Sequence, residues 1–408
     1  MKALKLSVLL LTLYNINLFS KENDVSLDRY ISDNKKQIFS YEYEKNMADG
    51  LKLHDSWINT VNLNYSFIKS KPYSSIQKTQ NASIKINQPI FQSGGIYYGI
   101  KFANISKKYA DLSVDSAKRK MIKDAVSILM QIKRAEFGIQ KQTLQIENTT
   151  IKLEQKRERY LSGELDSGFL DNAIIDKNRA TEALYDLQTS KQRLISKFKT
   201  ISDMDYKKAI IPHLKLINKE QFLEHNLPLA LSKSNIEKNR YSKDITVAKY
   251  LPSISFVAGY NWQRTENQKF APNLPAVNSE LKYYNYGFSA SIPININTFR
   301  DIESAKVEYL KSKIELSDKK RELLALFEEV MQNIENFDKK IDLSQENIKL
   351  YKKLLADTVK LYNAGYKTEY DVNLLKNSTA INKLDSKIFE LDKQLELLNL
   401  YEMYENEI

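Results

Sequence analysis

Residues 250–263 read YLPSISFVAGYNWQ. Upstream of Pro252 the chain is lysine-rich and, from Leu229 to Leu251, free of glycine and proline, as a helix is; downstream, Ile254, Phe256, Ala258, Tyr260 and Trp262 alternate with small or polar side chains. Period-two alternation predicts a strand with one apolar and one polar face, and the proline marks where helix gives way to it. Tyr284, Tyr286, Phe288, Ala290 and Ile292 form a second such stretch against Asn285, Gly287, Ser289 and Ser291. Two more lie in the first half, Val61, Leu63, Tyr65 and Phe67, then Ala82, Ile84 and Ile86. Strands of roughly 10 residues suit a tilted membrane span, although the alternation alone fits equally a half-buried sheet packed on helices.

The rest of the chain is poor in punctuation. Ten glycines and eight prolines in 408 residues leave little material for turns, so the elements must be few and long. From Gly95 to Leu161 there is no proline, and from Phe299 to Ala364 there is neither proline nor glycine. Each stretch predicts a helix of roughly 100 Å. Their apolar residues step by fours and threes, as in Ala110, Val114, Ala117 and Met121, or Leu323, Phe327, Val330 and Ile334, which is coiled-coil spacing. Lys and Arg total 62 against 51 Asp and Glu, a net charge of +11. Both signs are interleaved, as in EQKRER and SDKKRELL, which describes a solvated helix surface and not a nucleic-acid patch.

The chain is written twice. YLSGELDSGFLDNA from Tyr160 and YNAGYKTEYDVNLL from Tyr362 share Tyr-x-x-Gly at an offset of 202 residues, and Pro89 and Pro293 stand 204 apart. Each half runs helix, strand, loop, strand, proline turn, very long helix, Tyr-x-x-Gly turn, helix, so a tandem duplication is read. The N-terminus, with Lys2 and Lys5, an apolar run from Leu6 to Tyr14 and polar residues to Ser20, predicts a secretory signal peptide over residues 1–20. With no cysteine there is no disulfide, thiolate metal site or lipidated N-terminal Cys.

Four strands cannot close a barrel, and an open sheet edge cannot face lipid because its amides and carbonyls find no partners there. Three copies supply twelve strands, an even number within the range of outer-membrane barrels. The YLPS junction, the strand ends QPIFQSGG and SIPI, the two Tyr-x-x-Gly turns and the duplicated order over nearly all of residues 25–405 resemble the TolC-like outer-membrane efflux family. That resemblance implies a mainly α fold with transmembrane β: four strands per protomer in a trimeric 12-stranded barrel, continuous with a coiled-coil periplasmic tunnel. It implies a passive exit duct of a tripartite efflux pump or type I secretion system in a Gram-negative outer membrane, with a periplasmic adaptor and an inner-membrane transporter as partners. No enzyme activity, cofactor, metal or nucleic acid is expected. The alternative is a periplasmic adaptor or coiled-coil scaffold protein, which would carry one central hairpin and Gly-rich lipoyl domains.

The expected organisation is a first repeat over 21–200, with strands about 57–68 and 82–90 and a helix about 95–161. An inter-repeat equatorial segment covers 201–228, and a second repeat covers 229–408 with strands about 253–263 and 283–293 and a helix about 299–364. HDSWIN stands where the second copy has YLPSIS, so the first junction, near Trp57, departs from the pattern. The resemblance also implies a periplasmic gate at the second turn, where Tyr362, Lys367 and Asp371 match the family's positions. Leu374 stands where many relatives carry a second acid, and Phe169 holds the acidic position of the first repeat, so a more apolar constriction is implied. Read without the family, Tyr362 is a core aromatic and Asp371 an acid stabilised by the helix N-terminus. Gly163 and Gly365 are helix caps in the left-handed region; with Thr368 they are also implied as adaptor-contact turns. Tyr284, Tyr286, Phe288, Phe256 and Tyr260 are expected to face lipid.

Overall fold

The computed structural model describes residues 27–72 and 75–404, so the predicted signal peptide lies outside the described residues. After a short turn at Leu27–Tyr30, the first repeat comprises α1 (Asp33–His54), β1 (Asn62–Ser70), β2 (Gln77–Phe91), α2 (Gly95–Leu161) and α3 (Ser167–Ile201). A short α4 (Lys219–Glu224) follows the extended inter-repeat segment. The second repeat comprises α5 (Leu227–Lys249), β3 (Ser253–Gln268), β4 (Val277–Ser291), α6 (Thr298–Asn363) and α7 (Glu369–Tyr401). The 67 residues of α2 and 66 of α6 make rods of about 100 Å at 1.5 Å per residue. Among the described residues no helix is long and apolar enough to cross a membrane.

The four strands form one antiparallel sheet in the order β1-β2-β3-β4. Residues directly opposite one another in such a sheet point to the same face. Leu63, Ile84, Tyr260 and Tyr284 fall in one row, Ile86, Ala258 and Tyr286 in the next, and Phe256 faces Phe288. All of these share one face. Asn62, Lys85, Gly259 and Asn285, then Asn64, Ser83, Asn261 and Tyr283, line the other. A Cβ on Gly259 would lie 2.8 Å from the Asn285 amide oxygen, so the small residue there makes room for its polar neighbour.

The strands extend further into their hairpins than their apolar alternation, with β2 starting at Gln77, β3 ending at Gln268 and β4 starting at Val277. The ladder is made by backbone groups and continues where the side chains turn polar. At the other end β1 begins at Asn62 and not near Trp57. There the Gln88 amide takes the place of a ladder partner, accepting from the Asn59 N–H at 3.0 Å and donating to the Trp57 carbonyl at 3.0 Å. Pro89, which has no N–H, sits at a register shift against β3, and Pro293 lies beyond the end of β4.

Buried side chains gather at the middle of the long helices. Ala125, Val126, Leu129 and Met130 of α2 and Leu323, Phe327, Val330 and Ile334 of α6 meet Phe198 of α3, Leu397, Leu398 and Leu400 of α7, and Tyr30. The inter-repeat segment closes this belt with Leu214 and Ile217. Gln394 of α7 binds Leu214 twice, accepting from its N–H at 2.7 Å and donating to its carbonyl at 3.3 Å. Lengthwise packing is unequal: α2 lies against α1, α3, α5 and α7, whereas the principal neighbours of α6 are α5 and α7.

Candidate functional site

Both Tyr-x-x-Gly turns close their helices in the same way. The Gly163 N–H donates to the Tyr160 carbonyl at 3.0 Å and Glu164 to Arg159 at 2.9 Å; Gly365 donates to Tyr362 and Tyr366 to Leu361, each at 2.9 Å. This paired pattern is the Schellman motif, whose residue after the cap must be left-handed. Gly163 and Gly365 have φ of 78° and 79°, and an added Cβ at either would meet nothing within 4 Å, so glycine is required for backbone conformation alone.

The next helix then starts differently in the two copies. At the first turn Asp166 caps α3 by accepting from Gly168 at a long 3.4 Å. At the second, Thr368 and Asp371 form a reciprocal capping box: the Thr368 hydroxyl accepts from the Asp371 N–H at 3.3 Å, and the Asp371 carboxylate accepts from the Thr368 N–H at 3.1 Å. That backbone bond, the Thr368 hydroxyl and the charge of Lys367 hold the Asp371 carboxyl below the usual carboxylate range. A lowered pKa stabilises the folded turn above the ordinary carboxylate range, and this support is lost as pH falls through the lowered value. Thr368→Ala is expected to cost about 1 kcal/mol locally, read as faster hydrogen exchange at the amides of Asp371 and Val372.

The structure thus brings Lys367, Thr368 and Asp371 together at the tip of the α6–α7 hairpin, with Tyr362 half-exposed on the last turn of α6 and Leu374 one turn into α7. Phe169 is exposed at the tip of the other hairpin, on the first turn of α3.

A set of side chains that sequence reasoning missed joins the two hairpins. The Tyr370 hydroxyl of α7 donates to Glu158 of α2 at 2.9 Å, and this bond raises the pKa of the phenol. Asn377 donates to Glu147 at 3.2 Å and to Asn148 at 3.0 Å. Further along, Lys141 pairs with Asp385 at 2.6 Å, Arg134 with Asp392 at 2.6 Å and Lys123 with Glu402 at 3.1 Å. These are rungs across one antiparallel seam, recurring roughly every two helical turns. The interleaved charges read as a solvated helix surface, and within it Asp385 and Asp392 cross between helices. The seven-residue spacing of Tyr370 and Asn377, which puts two polar side chains on one stripe of α7, is the signal that could have found the lower rungs.

With the strand faces and hairpin tips in view, the similarities to known proteins become informative. The sequence model of the family described as Outer membrane efflux protein matches residues 219–396, from α4 to near the end of α7. The match covers the second repeat and is a likeness of that part of the chain. No curated protein matches it in sequence. The fold is similar to that of the outer membrane protein VceC of Vibrio cholerae, at 14% identity and TM-score 0.71 over 93% of this chain and 96% of that one. It is also similar to the Campylobacter jejuni CmeC outer membrane channel (13% identity, TM-score 0.69, 94% and 86% of the two chains). The open state of the Neisseria gonorrhoeae MtrE outer membrane channel aligns at 12% identity and TM-score 0.63 over 92% and 87%. The likeness extends over more than nine-tenths of this chain, so it takes in both the four-stranded sheet and the long helices. The five aromatics expected on one strand face all lie there, with Tyr284, Tyr286 and Phe288 more than 70% exposed in the single chain.

Proposed function

We propose that this chain is an outer membrane efflux protein that works as a homotrimer, forming a passive duct whose narrow end is closed at the α6–α7 tips. The observation that carries the reading is a set of surfaces left incomplete in one chain. The sheet has two free edges, β1 and β4, and an unpaired edge has no place in hydrocarbon. α2 is flanked by helices of both repeats, while the duplicate position around α6 lacks the counterparts of α5 and α7; a neighbouring copy's α1 and α3 are the elements that fit. The apolar residues this would cover are exposed: Leu343, Leu350 and Leu354 on α6, Ile174, Ile175 and Tyr185 on α3, and Ile294 and Ile296 after β4. At the first strand exit the corresponding junction is filled within the chain, where the Ser93 hydroxyl donates to the Pro252 carbonyl at 2.7 Å.

In such a duct Tyr362, Lys367, Asp371, Leu374 and Phe169 surround the threefold axis at the tips, and Gly163, Gly365 and Thr368 shape the turns offered to a periplasmic adaptor. The energy source is an inner-membrane transporter reached through that adaptor. The single-hairpin adaptor reading is not favoured, because each half of the chain carries its own pair of strands and its own hairpin. Mass measurement of the detergent-extracted protein is expected to give three chains, and the reconstituted trimer is expected to conduct ions across planar bilayers. A stable monomer with a closed barrel overturns the reading.

A further inference from the structure

The aromatic face of the sheet changes character at the end away from the helices. Following the same side-chain parity past Trp262 leads to Arg264 and Glu266 on β3, Lys78 on β2, Lys69 on β1, and Glu280 and Lys282 on β4. Four cations and two carboxylates therefore cap the aromatic rows. Glu266 is shared by Arg264 at 3.1 Å and Lys78 at 3.7 Å, while Glu280 takes Lys282 at 2.7 Å and the Trp262 indole N–H at 2.9 Å. Lys69 lies over the Phe67 ring at 5.6 Å and stands directly opposite Lys78 in the β1–β2 register. Like charges directly opposite in a sheet repel unless an anion lies between them.

We propose that this row is a binding site for the phosphorylated headgroup of an outer-leaflet lipid, with Lys69 and Lys78 gripping the phosphate, Arg264 supporting it, and Phe67 and Trp262 lying against the lipid below. The proposal rests on the reading that the aromatic face meets lipid. Position and charge then agree: aromatic rings mark the level where acyl chains give way to headgroups, and clustered Lys and Arg at that level attract anionic lipid. The two carboxylates are already engaged, so the surplus positive charge has no counterpart in the chain's own sheet. A phosphate monoester carries up to two negative charges and three acceptor oxygens, enough to satisfy both lysines at once.

The test uses the full-length oligomer in detergent and native mass spectrometry with two probes, a bisphosphorylated acylated glucosamine disaccharide and the same lipid without phosphates. The parent protein is expected to retain the phosphorylated lipid preferentially, and Lys69→Gln/Lys78→Gln to bind it about thirtyfold more weakly. Lys85→Gln, which removes one positive charge from the opposite face of β2, is expected to leave retention unchanged, and inorganic phosphate at the same concentration is expected not to displace the lipid. Equal retention of the phosphate-free lipid, displacement by inorganic phosphate, or equal loss with Lys85→Gln overturns the proposal. So does a double variant that loses heat-resistant oligomers while keeping the lipid, which would assign the lysines to contacts between copies. Thiol labelling at position 285 reports the membrane orientation of the sheet separately, so failure of lipid binding and failure of the underlying reading are distinguishable.

Discussion

The double variant Tyr370→Phe/Asn377→Ala is expected to conduct severalfold more current per channel than the parent protein in planar bilayers. Tyr370→Phe removes only the hydroxyl that reaches Glu158, and Asn377→Ala releases Glu147 and Asn148. The seam between α2 and α7 then loses its two rungs nearest the tip. The Lys141–Asp385 and Arg134–Asp392 pairs and the equatorial core remain, so α7 stays folded while its first turns are free to swing away from α2. The Tyr370–Glu158 contact is exposed and contributes little to global stability, and the substitution at the buried Asn377 lies far from the equatorial core, so the oligomer should survive while the resting position of the α7 tip changes. Tyr362→Phe/Lys367→Ala is the matched comparison, because the family resemblance assigns the closing links to those residues. Whichever pair raises conductance locates the closing contacts: on the seam within one chain, or at the tips where copies meet. Asp371→Asn is expected to leave resting conductance nearly unchanged while weakening block by divalent cations, since a ring of like charges binds cations and asparagine keeps an oxygen for the Thr368 N–H. If neither double variant conducts more than the parent, the constriction is apolar, with Leu374 and Phe169 as its candidates.

The second large effect is an alternating pattern of thiol labelling along β4. The chain has no cysteine, so cysteines placed singly at 285, 286, 288 and 289 report only their own positions. Asn285 and Ser289 lie on the polar face, opposite Gly259 and Ser255, and Tyr286 and Phe288 on the aromatic face, opposite Ala258 and Phe256. In the outer membrane, a water-soluble thiol reagent is expected to label 285 and 289 nearly completely and 286 and 288 near background, because the proposed barrel puts only the polar face against water. The contrast should be close to all-or-none, since a one-residue step reverses the face. The reverse pattern would mean that the aromatic face meets water and the sheet does not span the membrane as read.

The alternation at Phe256, Ala258, Tyr260 and Trp262, the coiled-coil stripe at Leu323, Phe327, Val330 and Ile334, and the glycines of the two Tyr-x-x-Gly turns were legible because each is a local rule. A strand between two environments repeats every two residues, a helix every three or four, and a Schellman turn demands one left-handed residue. The duplication made each rule visible twice and set the order of elements. The ends of the strands were less legible: side-chain alternation reports which environment each face meets, whereas the strand ends where backbone hydrogen bonding ends, and at Trp57 the Gln88 side chain decides that. The α7 stripe of Tyr370 and Asn377 is visible in the sequence, but the partners that join the hairpins came from tertiary structure alone. Tyr370 and Glu158 are 212 residues apart, and Gln394 and Leu214 are 180 apart. Nothing local distinguishes Glu158 or Asp385 from the many acids of a solvated helix. Which of them bridges depends on the rotation and register of one rod against another, set by packing at the equatorial core far along the helix.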